Sequence, residues 1–165
     1  MTTRLYFAYG SNMSPQQMAL RCPGAQPVGA AQLPDWRFHV NTRGSASILP
    51  GDGYVVHGVL WRCTAVHFHT LDKYEGVHWG NYRRRHAGVV MSCGTPAQAV
   101  VYAGTRTYNG RARVRYMTTA VLPGARAFGL PEDYIEELCS WLPDRLIGEK
   151  RNPVRGRPRP IRFPR

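Results

Sequence analysis

No run of apolar residues in the 165-residue chain approaches the ~20 that a membrane-spanning helix needs. Cysteine is sparse and unpatterned: Cys22, Cys63, Cys93 and Cys139 form no C-x-x-C pair. A chain of this length needs no disulfide staples, so reduced structural thiols are expected, and no cysteine lies in an obviously activating segment. The six histidines offer no metal-ligand spacing; His67 and His69, two residues apart, would not share a helix face. The N-terminus lacks a signal-peptide layout before its first candidate strand, which makes cytoplasmic residence the expectation. There is no internal repeat and no second domain; the length suits a single one.

Acids are also scarce, with 10 Asp and Glu against 22 Lys and Arg, for a net charge of +12. The excess is uneven. From Glu149 to Arg165 seven bases face one acid, so this stretch supplies +6, half of the total. Its alternation of Arg with Pro and Gly from Asn152 onward cannot bury enough apolar surface to order itself. A domain over residues 1–150 followed by a basic tail, 151–165, is the expected organisation.

What is abundant is glycine (17) and proline (13), spread along the chain. That favours a turn-rich α+β or β-barrel domain over a helical bundle. Arg4–Tyr9 reads as a strand and stops at Gly10-Ser11-Asn12. Ser14-Pro15 then looks like an N-cap with proline at the first helical position, and the helix continues over Gln16–Arg21. Strands are expected at Val28–Leu33, Trp36–Asn41 and Ser45–Leu49. Pro50-Gly51-Asp52-Gly53 reads as a turn. A core strand follows at Tyr54–Arg62, with Val55, Val59 and Trp61 on one side. Thr64 should cap a helix over Ala65–Glu75 that places Phe68 and Leu71 inward and stops at Gly76. Tyr82–Met91 and Ala97–Ala103 resemble a strand pair, and Pro131–Leu142 reads as the last helix.

Two segments can carry chemistry. In Tyr9-Gly10-Ser11-Asn12 a strand runs through a glycine turn into a helix start. Backbone N–H groups in such a turn can bind anions or polarised carbonyls, and an ordinary turn fits the same residues. In the second segment, Glu75 sits where its helix ends. The negative end of the helix dipole and aromatic neighbours both disfavour a charged carboxylate there. A raised pKa suits proton transfer near neutral pH. Taken alone, a glutamate in a helix is more often a solvated surface residue.

Together, Tyr6–Asn12, Leu71-Asp72-x-x-Glu75-Gly76 and Tyr82 resemble the γ-glutamyl cyclotransferase (AIG2-like) family. Gly44–Ile48, Gly58–Trp61 and the run from Gly124-Ala125 through Gly129-Leu130-Pro131 to Tyr134 extend the resemblance over about residues 4–147. It implies an α+β fold, a small closed β-barrel of mixed strands with a few surrounding helices. It implies an enzyme that needs no cofactor and no metal. In the implied reaction, the α-amine of a γ-glutamyl unit attacks its own γ-carbonyl and releases 5-oxoproline and an amine or amino acid. By the resemblance Glu75 is the acid/base, and Tyr9, Gly10, Ser11, Asn12, Tyr82 and Tyr102 bind substrate. The implied partner is a small γ-glutamyl compound, and a homodimer is compatible.

Arg83-Arg84-Arg85 departs from the alternation of a core strand, so Arg83 or Arg85 is a candidate for pairing with a substrate carboxylate. Two other readings compete. The +12 charge and the tail invite a nucleic-acid-binding module, disfavoured because no RNA-binding aromatic signature is present and much of the excess charge lies outside the folded part. A non-catalytic binding protein on the same fold is the other, and retention of Glu75 argues against it.

Overall fold

A strand that ends two residues before Gly10 sets the architecture. In the computed structural model, which describes residues 2–105 and 110–143, β1 (Thr3–Ala8) is buried over its last three residues. Four more strands complete the sheet: β2 (Gln26–Val40), β3 (Ala46–Thr64), β4 (Tyr82–Met91) and β5 (Pro96–Gly104). They close into a barrel in the order β1-β3-β2-β4-β5. All neighbours are antiparallel except β1 and β5, which meet in parallel at Tyr6 and Val100 to complete the ring. This is the closed mixed barrel with peripheral helices that the resemblance implies. Closure leaves no long free edge in the small sheet.

The helices follow their local signals. Ser14 caps α1 (Pro15–Arg21), its hydroxyl accepting the Gln17 N–H. Thr64 caps α2 (Ala65–Glu75) by a reciprocal bond with His67, and Phe68 and Leu71 are buried as expected. Gly76, at φ 63°, ends α2: its N–H reaches Lys73 and the Val77 N–H reaches the Asp72 carbonyl, a Schellman arrangement.

Several expectations are corrected. The two strands expected between Val28 and Asn41 are one, and so are the two expected between Ser45 and Arg62. Pro50–Gly53 does not reverse the chain. The register passes from Pro34–Val55 to Trp36–Pro50, so residues 51–54 bulge out opposite Asp35. Asp35 (φ 60°) and Gly53 (φ 75°) supply the left-handed conformations, and Asp35 Oδ1 accepts the Gly53 N–H at 3.0 Å. Both halves of β3 keep the same partner strand, so the turn residues make a bulge rather than a hairpin. Val55, placed in the core by alternation, is 40% exposed, and its neighbour Val56 is buried. Phe128 packs on Trp61 and Tyr134 on His57, but Val55 lies beyond these covering rings. The last helix is shorter than expected: α5 spans Glu132–Cys139, preceded by Pro131.

One helical stretch had no expectation attached. It begins as α3 (Val114–Tyr116), widens to a π-turn over Met117–Val121, and ends as α4 (Leu122–Ala127). Leu122 N–H bonds the Met117 carbonyl five residues back, and Pro123 has no N–H to offer Thr119. Gly124 brings this stretch against the turn after β1. The basic tail, 151–165, lies outside the described residues. Among the described residues, no helix is long and apolar enough to cross a membrane.

Candidate active site

The end of β1, the end of α2, the start of β4 and the α3 turn converge on a cavity of about 330 Å³. Tyr9, Gly10, Ser11, Asn12, Glu75, Tyr82 and Tyr102 all line it. The first four arrive together because a 3₁₀ turn, Ser11–Met13, links β1 directly to α1. Tyr9 is anchored by its hydroxyl, which donates to the Tyr102 carbonyl at 2.5 Å. Asn12, 3% exposed, is held on both sides of its amide. Its Nδ2 donates to Tyr6 Oη (2.9 Å) and to Glu75 Oε1 (3.4 Å), and its Oδ1 accepts from Arg21 (2.8 Å).

Among the described residues, Glu75 is the one acid that lines the cavity. Burial pushes its carboxyl up to about 7, with the nearby Arg21 guanidinium working in the opposite direction. Its position at the carbonyl end of α2 acts in the same sense as burial. Burial also raises the phenols of Tyr6, Tyr9, Tyr82 and Tyr116, and the Glu75 charge adds to this. All four therefore remain protonated donors at neutral pH.

Sequence reasoning missed several residues here. Tyr116 is the clearest: its oxygen accepts the N–H groups of Ser11 and Ala46, both at 3.3 Å. With those lone pairs engaged, its O–H is available to an acceptor in the cavity. No local pattern marks Tyr116, because it reaches the site from a helix 41 residues beyond Glu75. Asn41 orders the turn after β2 by accepting the N–H groups of Arg43 and Ser45, and its amide donates to Tyr82 Oη at 3.0 Å. The Tyr82 hydroxyl donates to the Ala46 carbonyl at 2.7 Å. The Asn-Thr-Arg-Gly run signals the turn but says nothing of its link to Tyr82.

The three-arginine run behaves differently from expectation. Arg83 and Arg85 are exposed, and neither lines the cavity. Among the described residues the cations that do are Arg21, Arg43 and Arg113. Arg84 instead grips Asp72 with two 2.6 Å bonds and lies over the Phe68 ring. Asp72 also accepts the Tyr102 hydroxyl at 2.8 Å, which fastens α2 to β4 and β5. Asp72→Asn should lower the melting temperature by about 2–4 °C, some ~1 kcal/mol, in a thermal melt. The effect is held to that size by solvent, since the two side chains are 38% and 30% accessible.

No cysteine lines the cavity. Cys22 and Cys63 are buried, which raises both thiols to about 11 and about 12. Among the described residues no three His, Cys, Asp or Glu side chains gather as metal ligands.

The AIG2-like family model matches residues 55–138. A γ-glutamylcyclotransferase of Mus musculus is 30% identical over 157 residues, covering 89% of this chain and 83% of that protein. The chain belongs to the AIG2-like family. A γ-glutamylcyclotransferase of Homo sapiens is likewise 30% identical over 155 residues, covering 88% of this chain and 82% of its own. A solved structure described as a γ-glutamyl cyclotransferase has a TM-score of 0.78 and 27% identity, covering 94% of this chain and 93% of that one. In this AIG2-like chain the matched segment holds Glu75, Tyr82, Tyr102 and Tyr116, whereas the Tyr9–Asn12 turn precedes it.

Proposed function

We propose that the protein is a γ-glutamyl cyclotransferase and that Glu75 is its acid/base. The observation that carries this reading is a carboxyl group held near pKa 7 inside a polar cavity, within reach of Asn12. The γ-glutamyl unit lies with its α-carboxylate toward the Tyr9–Asn12 turn and Arg43. Its α-ammonium faces Glu75, which takes one proton. The free amine attacks the γ-carbonyl carbon of the same molecule and forms the ring C–N bond. The γ-amide C–N bond breaks as Glu75 returns its proton to the departing nitrogen, and the second proton, carried by the ring nitrogen after attack, is then lost to the released amine, which leaves as the ammonium. The products are 5-oxoproline and an amine or amino acid, with no change in oxidation state.

Each step suits the groups present. A base with a pKa near the working pH contributes roughly 10²–10⁴-fold. The Tyr116 hydroxyl is a neutral donor for the developing oxyanion, already fixed by two backbone N–H groups. Ring closure within one molecule needs chiefly the correct folded conformer, which a small cavity selects. The same reading places the enzyme in the cytoplasm, where its thiols stay reduced.

The test is release of 5-oxoproline from a panel of γ-glutamyl amino acids, peptides and amines, measured chromatographically. Turnover of at least one compound is expected. Turnover of none would leave a binding protein on the same fold as the better reading.

A further inference from the structure

Beside the cavity around Glu75 lies a second basin of about 390 Å³. Ser11, Arg21, Arg113 and Tyr116 line both spaces, whereas Gln17 and Arg115 line the outer one alone and Arg43 the inner one alone. Among the described residues, four guanidinium groups thus line these adjoining spaces, against the one carboxylate of Glu75. Arg21 is already engaged: it donates to Asn12 and Ser11, lies over Tyr74 and opposes the Glu75 charge. Arg113 donates to the Ser45 hydroxyl and lies over the Tyr116 ring, both neutral. Among the described residues the only salt bridge is Arg84–Asp72, so no acid there neutralises Arg43, Arg113 or Arg115.

Counting these charges defines the ligand, on the basis of the γ-glutamyl reading above. The glutamyl unit brings one α-carboxylate, and Arg43, confined to the inner cavity, is placed to take it. Arg113, which lines both spaces, and Arg115, in the basin, then remain for the departing amine. A neutral amino acid brings one carboxylate there; a dicarboxylic amino acid brings two. We propose that the outer basin is a leaving-group site for acidic amino acids, with Arg113 and Arg115 as its specificity-determining residues.

The test compares kcat/KM for γ-glutamylglutamate and γ-glutamylglutamine, which differ by one charge at nearly constant shape. The acidic compound is expected to be favoured roughly 10-fold at low ionic strength, as a matched charge pair in a partly exposed site allows. The preference should shrink in about 0.5 M KCl, where the Debye length falls to a few ångströms. Arg115→Glu should abolish or reverse it, and Gln17→Glu, on a different helix, should weaken it. Both positions are surface-accessible, so the fold tolerates either change. Equal use of the two compounds by the parent protein, or a preference unchanged in both variants, would overturn the inference and leave the cyclotransferase reading standing. Release of 5-oxoproline from no γ-glutamyl compound would overturn both.

Discussion

Glu75→Gln is expected to lower kcat by about 10²–10⁴-fold while leaving the fold intact. Glutamine keeps the shape and can still meet Asn12, but it can neither accept the ammonium proton nor return it. The loss should fall on kcat more than on KM, because the proton moves only during the reaction. The parent enzyme's pH profile supplies a second signature. The attacking amine requires the ionised carboxylate, so kcat/KM should rise through an apparent pKa of about 7, the value to which burial raises Glu75. The variant should lack that limb. A variant with parental kcat would remove Glu75 from the mechanism.

The same substitution should also alter stability, in the opposite sense to activity. An ordinary glutamate, as in the unfolded chain, titrates near 4.5, and the folded-state value is about 7. Between those pH values the folded protein binds the extra proton, so stability falls as pH rises through this window. The penalty at pH 8 is about 1–3 kcal/mol, its upper end following from the size of the shift and its lower end from the carboxyl's partial access to cavity water. Glu75→Gln removes it. Urea denaturation should find the variant more stable than the parent at pH 8 and nearly equal to it at pH 4. An active site that holds a costly carboxylate commonly shows this trade.

Gly124→Ala should cost both stability and activity. Helix propensity alone predicts the reverse, a gain of about 1 kcal/mol for replacing glycine in a helix. The contact decides the sign. A Cβ on Gly124 would sit 2.6 Å from the Met13 carbonyl carbon and the Ser14 nitrogen. These are backbone atoms of the turn that carries Asn12, and they cannot rotate aside as a flexible side chain could. Overpacking of this kind costs about 1–3 kcal/mol. The compensating shift of the turn moves Asn12, which holds both Arg21 and Glu75. A displacement of about 1 Å at a positioning group can cost ~10²-fold in rate. A thermal melt and a 5-oxoproline assay on purified variant would check this; an unchanged melt with unchanged kcat would refute it.

Much of the fold was legible because its signals are local. Ser14-Pro15, Thr64 and Gly76 mark the ends of α1 and α2 through hydrogen bonds that span only a few residues. Glu75 was legible as a helix-end carboxylate beside aromatic residues, and the Tyr9–Asn12 turn as a strand running into a helix start. Local signals failed where the outcome depends on a distant partner. Pro50–Gly53 has the composition of a chain reversal, yet β2 holds both flanking halves of β3 and turns it into a bulge. Val55 alternates like a core residue and is exposed because the covering rings stop at His57.

The sequence by itself determined the caps of α1 and α2, and which carboxylate stands at the end of α2, since each depends on residues within one or two turns of one another. Only the tertiary structure decided what surrounds that carboxylate. Tyr116, Asn41, Arg43 and Arg113 reach the cavity from turns and helices far along the chain. They meet because β1 and β5 close the barrel and Gly124 lets a helix approach the turn. Burial and the field of Arg21, rather than any motif, hold Glu75 near neutral pKa, because both depend on distances that exist only once the barrel has closed.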